Sequence, residues 1–276
     1  MSTELNATVI QRIEVSMGLI VLRVVPNGWE LPDFEAGQFG VLGLPQSAPR
    51  TSLADQIRAD EETARANQPD KLIKRAYSIA SSSVANEYIE FYIVLVPSGE
   101  LTPRLFNLKA GDKVWLGKKM SGLFTLAEVP PEKHVVFLGT GTGLAPYVSM
   151  LRSHLECGTS RHFAVVHGAR HSWELGYRSE LLMLSRMCKN FTYVPAISRP
   201  NEEPTPWGGQ SGYIQDVWNS GIIAEKWGFQ PSPDDTHLFL CGNPKMVEDM
   251  VEIVGKDGFV EHKKRSPGQV HVERFW

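Results

Sequence analysis

Hydrophobic positions change their rhythm about half-way along the chain. Up to residue 126 they come in short runs of β-branched, aromatic and leucine residues, at 20–22, 39–42, 88–96 and 114–116. The runs are separated by Asn27-Gly28, Ala36-Gly37, Pro97-Ser98-Gly99 and Ala110-Gly111-Asp112. Strand-length runs bounded by turn-formers predict an antiparallel barrel or sandwich. One short helix is expected over residues 103–108, with Thr102 as its cap and Pro103 in its first turn. Residues 45–74 are polar and charged, and they predict a surface insertion in which Ser52 could cap a helix reaching residue 64.

After residue 127 apolar strands alternate with amphipathic stretches. Strands are expected at 134–138, 162–167 and 191–197, with helices at 146–156 and 173–187 between them. A final strand at 237–241 leads into a helix at 244–254 with Met246, Val247, Met250, Val251 and Val254 at its apolar positions. Such alternation predicts a parallel sheet with helices on both faces and a ligand crevice at the carboxyl ends of its strands. Two domains are expected, over 1–127 and 128–276.

Composition narrows the chemistry. Only Cys157, Cys188 and Cys241 are present, without a CxxC pair. That supports neither a disulfide framework nor a zinc site, and three thiolates cannot hold a four-cysteine iron–sulfur cluster. No metal is expected. The first residues lack a basic segment followed by a long apolar run, so a soluble cytoplasmic protein is expected, not bound to membrane. A net charge of -3 argues against general nucleic-acid binding. The local clusters Lys118-Lys119 and His262-Lys263-Lys264-Arg265 read as solvated faces.

The strongest chemical signal is Gly139-Thr140-Gly141-Thr142-Gly143-Leu144-Ala145-Pro146, between an expected strand and an expected helix. Glycines let a ligand approach the backbone, and a helix amino end offers free N–H groups to a pyrophosphate. The spacing is not G-x-G-x-x-G, and no Gly-Lys-Ser/Thr follows, which disfavours an NTPase loop. A second signal is Arg75-Ala76-Tyr77-Ser78 at a strand. A flat ring can cover a flavin, a guanidinium can neutralise a phosphate, and a small hydroxyl can sit beside a redox-active nitrogen. Alone, such a tyrosine is more readily explained by packing.

Arg75-x-Tyr77-Ser78, then Gly139 to Pro146, then Cys241-Gly242-Asn243-Pro244, in that order, resemble the ferredoxin–NADP reductase family. The ending Val272-Glu273-Arg274-Phe275-Trp276 resembles its bacterial branch. The resemblance covers nearly the whole chain apart from the insertion at 45–74. It implies an antiparallel Greek-key FAD-binding barrel followed by a Rossmann-like parallel α/β domain for NADP.

The resemblance also implies roles. Arg75 would contact FAD phosphate, Tyr77 stack on the isoalloxazine, and Ser78 lie near flavin N5. Tyr92 and Val94 would line the flavin, and Thr102 would approach its pyrophosphate. Gly141, Thr142, Gly143, Pro146 and Gly242 would receive NADP, with Cys241 beside the nicotinamide. Phe275 would cover the flavin face opposite Tyr77 as a gate, and Trp276 the adenine, with these two roles open to exchange. Ser78, Cys241 and Phe275 are thus the expected catalytic residues.

For the nucleotide, the second strand ends His167-Gly168-Ala169-Arg170 with no carboxylate in reach, and Arg199 follows the third. Paired guanidinium groups suit a 2′-phosphate, so NADP is expected over NAD. Tyr213 stands where the family often has a further arginine. The implied reaction is hydride transfer between NADPH and FAD and single-electron exchange with ferredoxin or flavodoxin, by a monomer. The reductase component of an oxygenase system, or a non-catalytic flavin-binding subunit, would share the pattern.

Overall fold

A computed structural model describes residues 4–56, 60 and 70–274. Most of the helix expected over 52–64, together with Phe275 and Trp276, lies outside the described residues. The chain divides into two compact units, Met1–Leu123 and Phe124–Trp276.

The first unit is one six-stranded antiparallel sheet built from β1 (Ala7–Ser16), β2 (Leu19–Pro26), β3 (Phe39–Pro45), β4 (Leu72–Ser78), β5 (Ile89–Val94) and β6 (Lys113–Leu116). Its strand order is β4-β3-β6-β1-β2-β5. A bridge between Ile79, just past β4, and Phe91 of β5 brings the two outer strands together and closes the barrel. Period-two alternation turns Ile20, Leu22 and Val24, and Ile89, Phe91 and Ile93, into one buried core with Leu42, Leu44 and Leu116. On the opposite face Arg23 pairs with Glu90, the residue across from it, at 2.6 Å. Glu90 is fully buried, so removing Arg23 alone would cost about 3 to 5 kcal/mol.

The short helix α1 (Thr102–Leu105) departs from expectation at its start. Leu101 is the N-cap residue, without a side-chain cap. The Thr102 hydroxyl instead accepts from Val96 N–H at 3.0 Å and donates to Val96 O at 3.2 Å, pinning the loop before the helix. The insertion is also shorter than expected: residues 72–74 belong to β4, and Ile73 packs against the core.

The second unit is an all-parallel sheet in the order β10-β9-β8-β7-β11-β12. Its strands are β7 (His134–Thr140), β8 (Phe163–Ala169), β9 (Phe191–Ile197), β10 (Gln210–Ser211), β11 (Thr236–Cys241) and β12 (Val270–Glu273). The helices are α2 (Ala145–His154), α3 (Arg178–Met187), α4 (Ile214–Asn219), α5 (Ile222–Trp227) and α6 (Pro244–Lys256). Val136, Leu138, Ala164, Val166, Leu238 and Leu240 pack with α4, α5 and α6 on one face. On the other, Phe137 stacks on Tyr147 of α2 with centroids 4.7 Å apart.

Three expectations are corrected here. The strand at 237–241 is not the last, because β12 follows and pairs with it. The helix expected over 173–187 is broken: Ser172–Glu174 form a 3-10 turn, and α3 begins only after Tyr177, whose φ of 58° interrupts the helical path. Cys157 and Cys188 form a disulfide, with Cα atoms 4.7 Å apart. Asn190 brings those loops together, its side-chain amide donating to Glu156 O and Arg161 O while its carbonyl oxygen accepts from Gly158 N–H.

Candidate functional site

The parallel sheet reverses its winding between β7 and β11. From β7 the chain winds outward through β8 and β9 to β10, then returns to place β11 on the other side of β7. At such a switch point the loops leaving adjacent strands diverge and open a crevice at their carboxyl ends. The two loops here are the glycine-rich Gly139 to Pro146 and Cys241 to Pro244, the paired ends of β7 and β11.

Close packing explains the glycines. A Cβ on Gly143 would stand 2.5 Å from Cys241 O and 2.8 Å from Gly242 N, and one on Gly139 would stand 2.7 Å from the Tyr147 ring. Gly242 has φ +134 and fits against the backbone of Thr140. Gly141 differs: with φ +55, its missing side chain would point into open space. Backbone is thus bare where a ligand can reach it. Thr140 Oγ1 accepts from Asn243 N–H at 2.9 Å, and Asn243 caps α6 by accepting from Lys245 N–H at 2.9 Å and Met246 N–H at 3.3 Å. The Tyr147 hydroxyl reaches Leu138 O at 3.0 Å and Phe239 O at 2.9 Å, tying the end of β7 to β11. Of the glycine-rich loop, Gly143 thus stands directly against Cys241 and Gly242, while Gly141 faces open space.

Cys241 is buried, and its Sγ lies 3.6 Å from Glu273 Oε2. Burial first, and the Glu273 charge second, push the thiol well above its ordinary range, so it stays protonated. Glu273 itself is 5% exposed and was missed from sequence. The available signal was its place in an apolar-alternating ending, Val270-His271-Val272-Glu273, which is a strand pattern.

At the ends of β8 and β9, Arg199 N–H donates to Arg170 O at 3.0 Å, so the two arginines are neighbours. Their side chains are 64% and 49% exposed. Tyr213, 68% exposed, begins α4, its N–H donating to Asp216 at 2.9 Å. One expectation fails: carboxylates are in reach. Glu174 grips Arg170 through Nε at 3.2 Å and Nη2 at 2.5 Å, and Glu202 stands 3.5 Å from Arg199.

In the first unit, alternation places Arg75 and Tyr77 on the strand face shared with Ile73, and Ser78 on the other. The Tyr77 ring meets Phe91 edge-on at 6.5 Å, and burial raises its hydroxyl far above the ordinary range. Arg75 pairs with Glu100 at 2.5 Å, bringing β4 to the loop that Thr102 pins. Arg104, 2% exposed, holds the same loop, donating to Glu100 O at 2.6 Å and to Gln46 O. Tyr92 and Val94 share the β5 face opposite the core residues Phe91 and Ile93. Tyr92 is buried.

A family model described as the oxidoreductase NAD-binding domain matches residues 137–252. A flavodoxin/ferredoxin–NADP reductase of Escherichia coli (strain K12) is 31% identical over 244 residues, 88% of each chain. A ferredoxin–NADP reductase of Azotobacter vinelandii is 31% identical over 73% of this chain and 80% of that one. Among solved structures, a Neisseria gonorrhoeae ferredoxin NADP+ reductase with bound FAD and NADP superposes with a TM-score of 0.76 at 24% identity, covering 97% of both chains. An Amycolatopsis cytochrome P450 reductase gives 0.73 at 26% identity over 98% of this chain and 69% of its own.

Proposed function

The chain belongs to the flavodoxin/ferredoxin–NADP reductase family, and we propose that it moves electrons between NADP(H) and a small one-electron carrier, ferredoxin or flavodoxin. The overall step is NADPH plus two oxidised carriers giving NADP+, two reduced carriers and one proton. The observation that carries this reading is the pair of interlocked loops at the β7/β11 switch point, on a chain of this family.

The residues fit both groups. The bare backbone of Gly141 and its neighbours offers a dinucleotide close approach, and Arg170 and Arg199 offer it a phosphate site. Arg75 and Tyr77 offer a flavin dinucleotide one guanidinium and one flat ring on a single strand face. FAD, when bound, supplies the exchange between two-electron hydride chemistry and single-electron transfer.

What remains for the chain is alignment and protection from water. Tyr77, whose ring meets Phe91 edge-on, would cover a flavin face, and Tyr92 and Val94 would line the flavin. Ser78 would set a small hydroxyl near the reacting flavin nitrogen. Cys241, kept neutral by burial and Glu273, would present an uncharged surface to the nicotinamide. By the family resemblance, one of Phe275 and Trp276 would cover the flavin and the other would support the adenine.

The purified chain is expected to be yellow, and denaturation to release FAD. Anaerobic NADPH should bleach the flavin band, and reoxidation should follow addition of ferredoxin or flavodoxin. Release of FMN alone, or a flavin that NADPH does not reduce, would overturn the proposal. The second outcome would instead favour a binding subunit.

A further inference from the structure

The phosphate-reading corner at the ends of β8 and β9 carries its own carboxylates. Arg170 meets Glu174 through two guanidinium nitrogens, Nε to Oε2 and Nη2 to Oε1, in the forked geometry that a phosphate would adopt. The same Oε2 also accepts from the Arg170 backbone N–H at 3.1 Å. Glu202 stands 3.5 Å from Arg199 and 2.8 Å from His171 Nε2. Two cationic side chains are thus matched by two anionic ones.

Nor is Glu174 a freely swinging surface residue. Its side chain is 15% exposed, although that of Arg170 is 64% exposed. The turn that carries it is closed by Glu174 N–H donating to His171 O at 3.1 Å. His171 lies flat on Trp173, with centroids 4.4 Å apart and planes within 7°. Ser172 is held by Glu203 through its N–H at 2.8 Å and its hydroxyl at 2.6 Å. The carboxylate is thus held at Arg170 both by the guanidinium and by the turn that carries it.

Resting on the function proposed above, we propose that Glu174 sets the nucleotide preference: it competes with the 2′-phosphate of NADP(H) for Arg170, and it can accept the ribose 2′-hydroxyl of NAD(H). An acidic side chain after the second strand of a dinucleotide-binding sheet is the device that reads that hydroxyl, and β8 is the second strand here. A phosphate entering the corner must either displace the Glu174 carboxylate from Arg170 or lie beside a like charge. Either route lowers the advantage that two arginines would otherwise give NADP(H). The chain's preference for NADP(H) over NAD(H) is therefore held down by one residue. Tyr213, uncharged and exposed, adds no cation to offset it.

The test is calorimetric titration of the FAD-loaded full chain with NADP+ and with NAD+, neither of which turns over alone. Glu174→Gln keeps an oxygen for the Arg170 N–H but removes the charge. It should tighten NADP+ about fivefold, weaken NAD+, and so raise the ratio of the two dissociation constants about tenfold or more. Adding Glu174→Gln to Arg170→Ala should give no gain for NADP+, because the competition runs through that guanidinium. A ratio unchanged by Glu174→Gln, or NADP+ binding weakened by it, overturns the proposal while leaving the reductase reading intact. Failure of the unaltered chain to bind NADP+ at all overturns both.

Discussion

Cys241 and Glu273 occupy paired positions of β11 and β12, with the thiol donating to the carboxylate across 3.6 Å. The thiol belongs to the loop that closes on Gly143, whereas the carboxylate ends the last strand. Because burial and this charge both raise the thiol's pKa, Cys241 should resist alkylation through the ordinary thiol range. Glu273→Gln removes the second cause only. Its alkylation profile should shift to lower pH while remaining above that of an exposed cysteine, as followed by iodoacetamide uptake against pH. Coincident profiles would mean that burial alone holds the proton.

Arg170 and Arg199 supply the discrimination on which Glu174 acts. Alanine at either position removes a charge-assisted contact worth about 1.5 to 3 kcal/mol, hence roughly ten- to a hundredfold in NADPH affinity. NADH should be almost unaffected. Equal weakening of both nucleotides in parallel titrations would show that these arginines serve the shared pyrophosphate or the fold.

Glycines 141 and 143 should respond differently to alanine. At Gly143 the new Cβ meets the backbone of Cys241 and Gly242, which cannot yield without parting the two loops. Thermal stability should fall by about 1 to 3 kcal/mol and nucleotide binding should be lost. At Gly141 the new atom meets nothing, so only the positive φ is penalised, by about 1 kcal/mol. Its larger effect should be on nucleotide affinity, since a methyl group then occupies space left to the ligand. Calorimetry on the two variants separates the cases.

His167 is fully buried in β8, with Nδ1 3.1 Å from the Tyr193 hydroxyl. Burial depresses its pKa from 6.5 to about 3. The unfolded chain therefore binds this proton over a range where the folded chain does not. Stability should be complete above about pH 6.5 and decline as pH falls toward about 3. His271, also brought down to about 3, acts with the same sign. His167→Gln should reduce the slope of melting temperature against pH across that window, and an unchanged slope would assign the acid sensitivity elsewhere.

Sequence periodicity located the elements that frame the nucleotide site because they are long and locally determined. The apolar run at 134–138, the glycine loop and the helix with Met246, Val247, Met250 and Val254 on one side all announce themselves within a dozen residues. What escaped depends on distant partners. Thr102 has the composition of a cap, yet Val96 takes its hydroxyl. Cys157 and Cys188 are 31 residues apart, and only the meeting of two loops around Asn190 joins them. The helix beginning at Arg178 has an amphipathic run extending upstream, but Tyr177 leaves the helical path in a way no periodicity reveals. Glu174 stayed hidden because spacing along the chain does not show which way a turn sends its side chain. β10, with two residues, gives too few positions for alternation to register, and β12 alternates over only four, at the edge of what periodicity can mark.

The insertion of β11 beside β7 also constrains how the chain can be made. β7 carries Val135, Val136, Phe137 and Leu138, all buried in the finished protein, and until β11 forms one edge of this strand has unpaired backbone N–H and C=O groups. Residues 141–235 must be synthesised before that edge is covered. At roughly 5 to 20 residues per second this leaves it open for roughly 5 to 20 seconds on a translating ribosome. During that interval another strand could take β11's place. The arrangement that creates a nucleotide crevice therefore leaves the nascent chain with an open strand edge, and slower translation or loss of chaperone assistance should lower the yield of folded protein before altering the properties of the molecules that do fold.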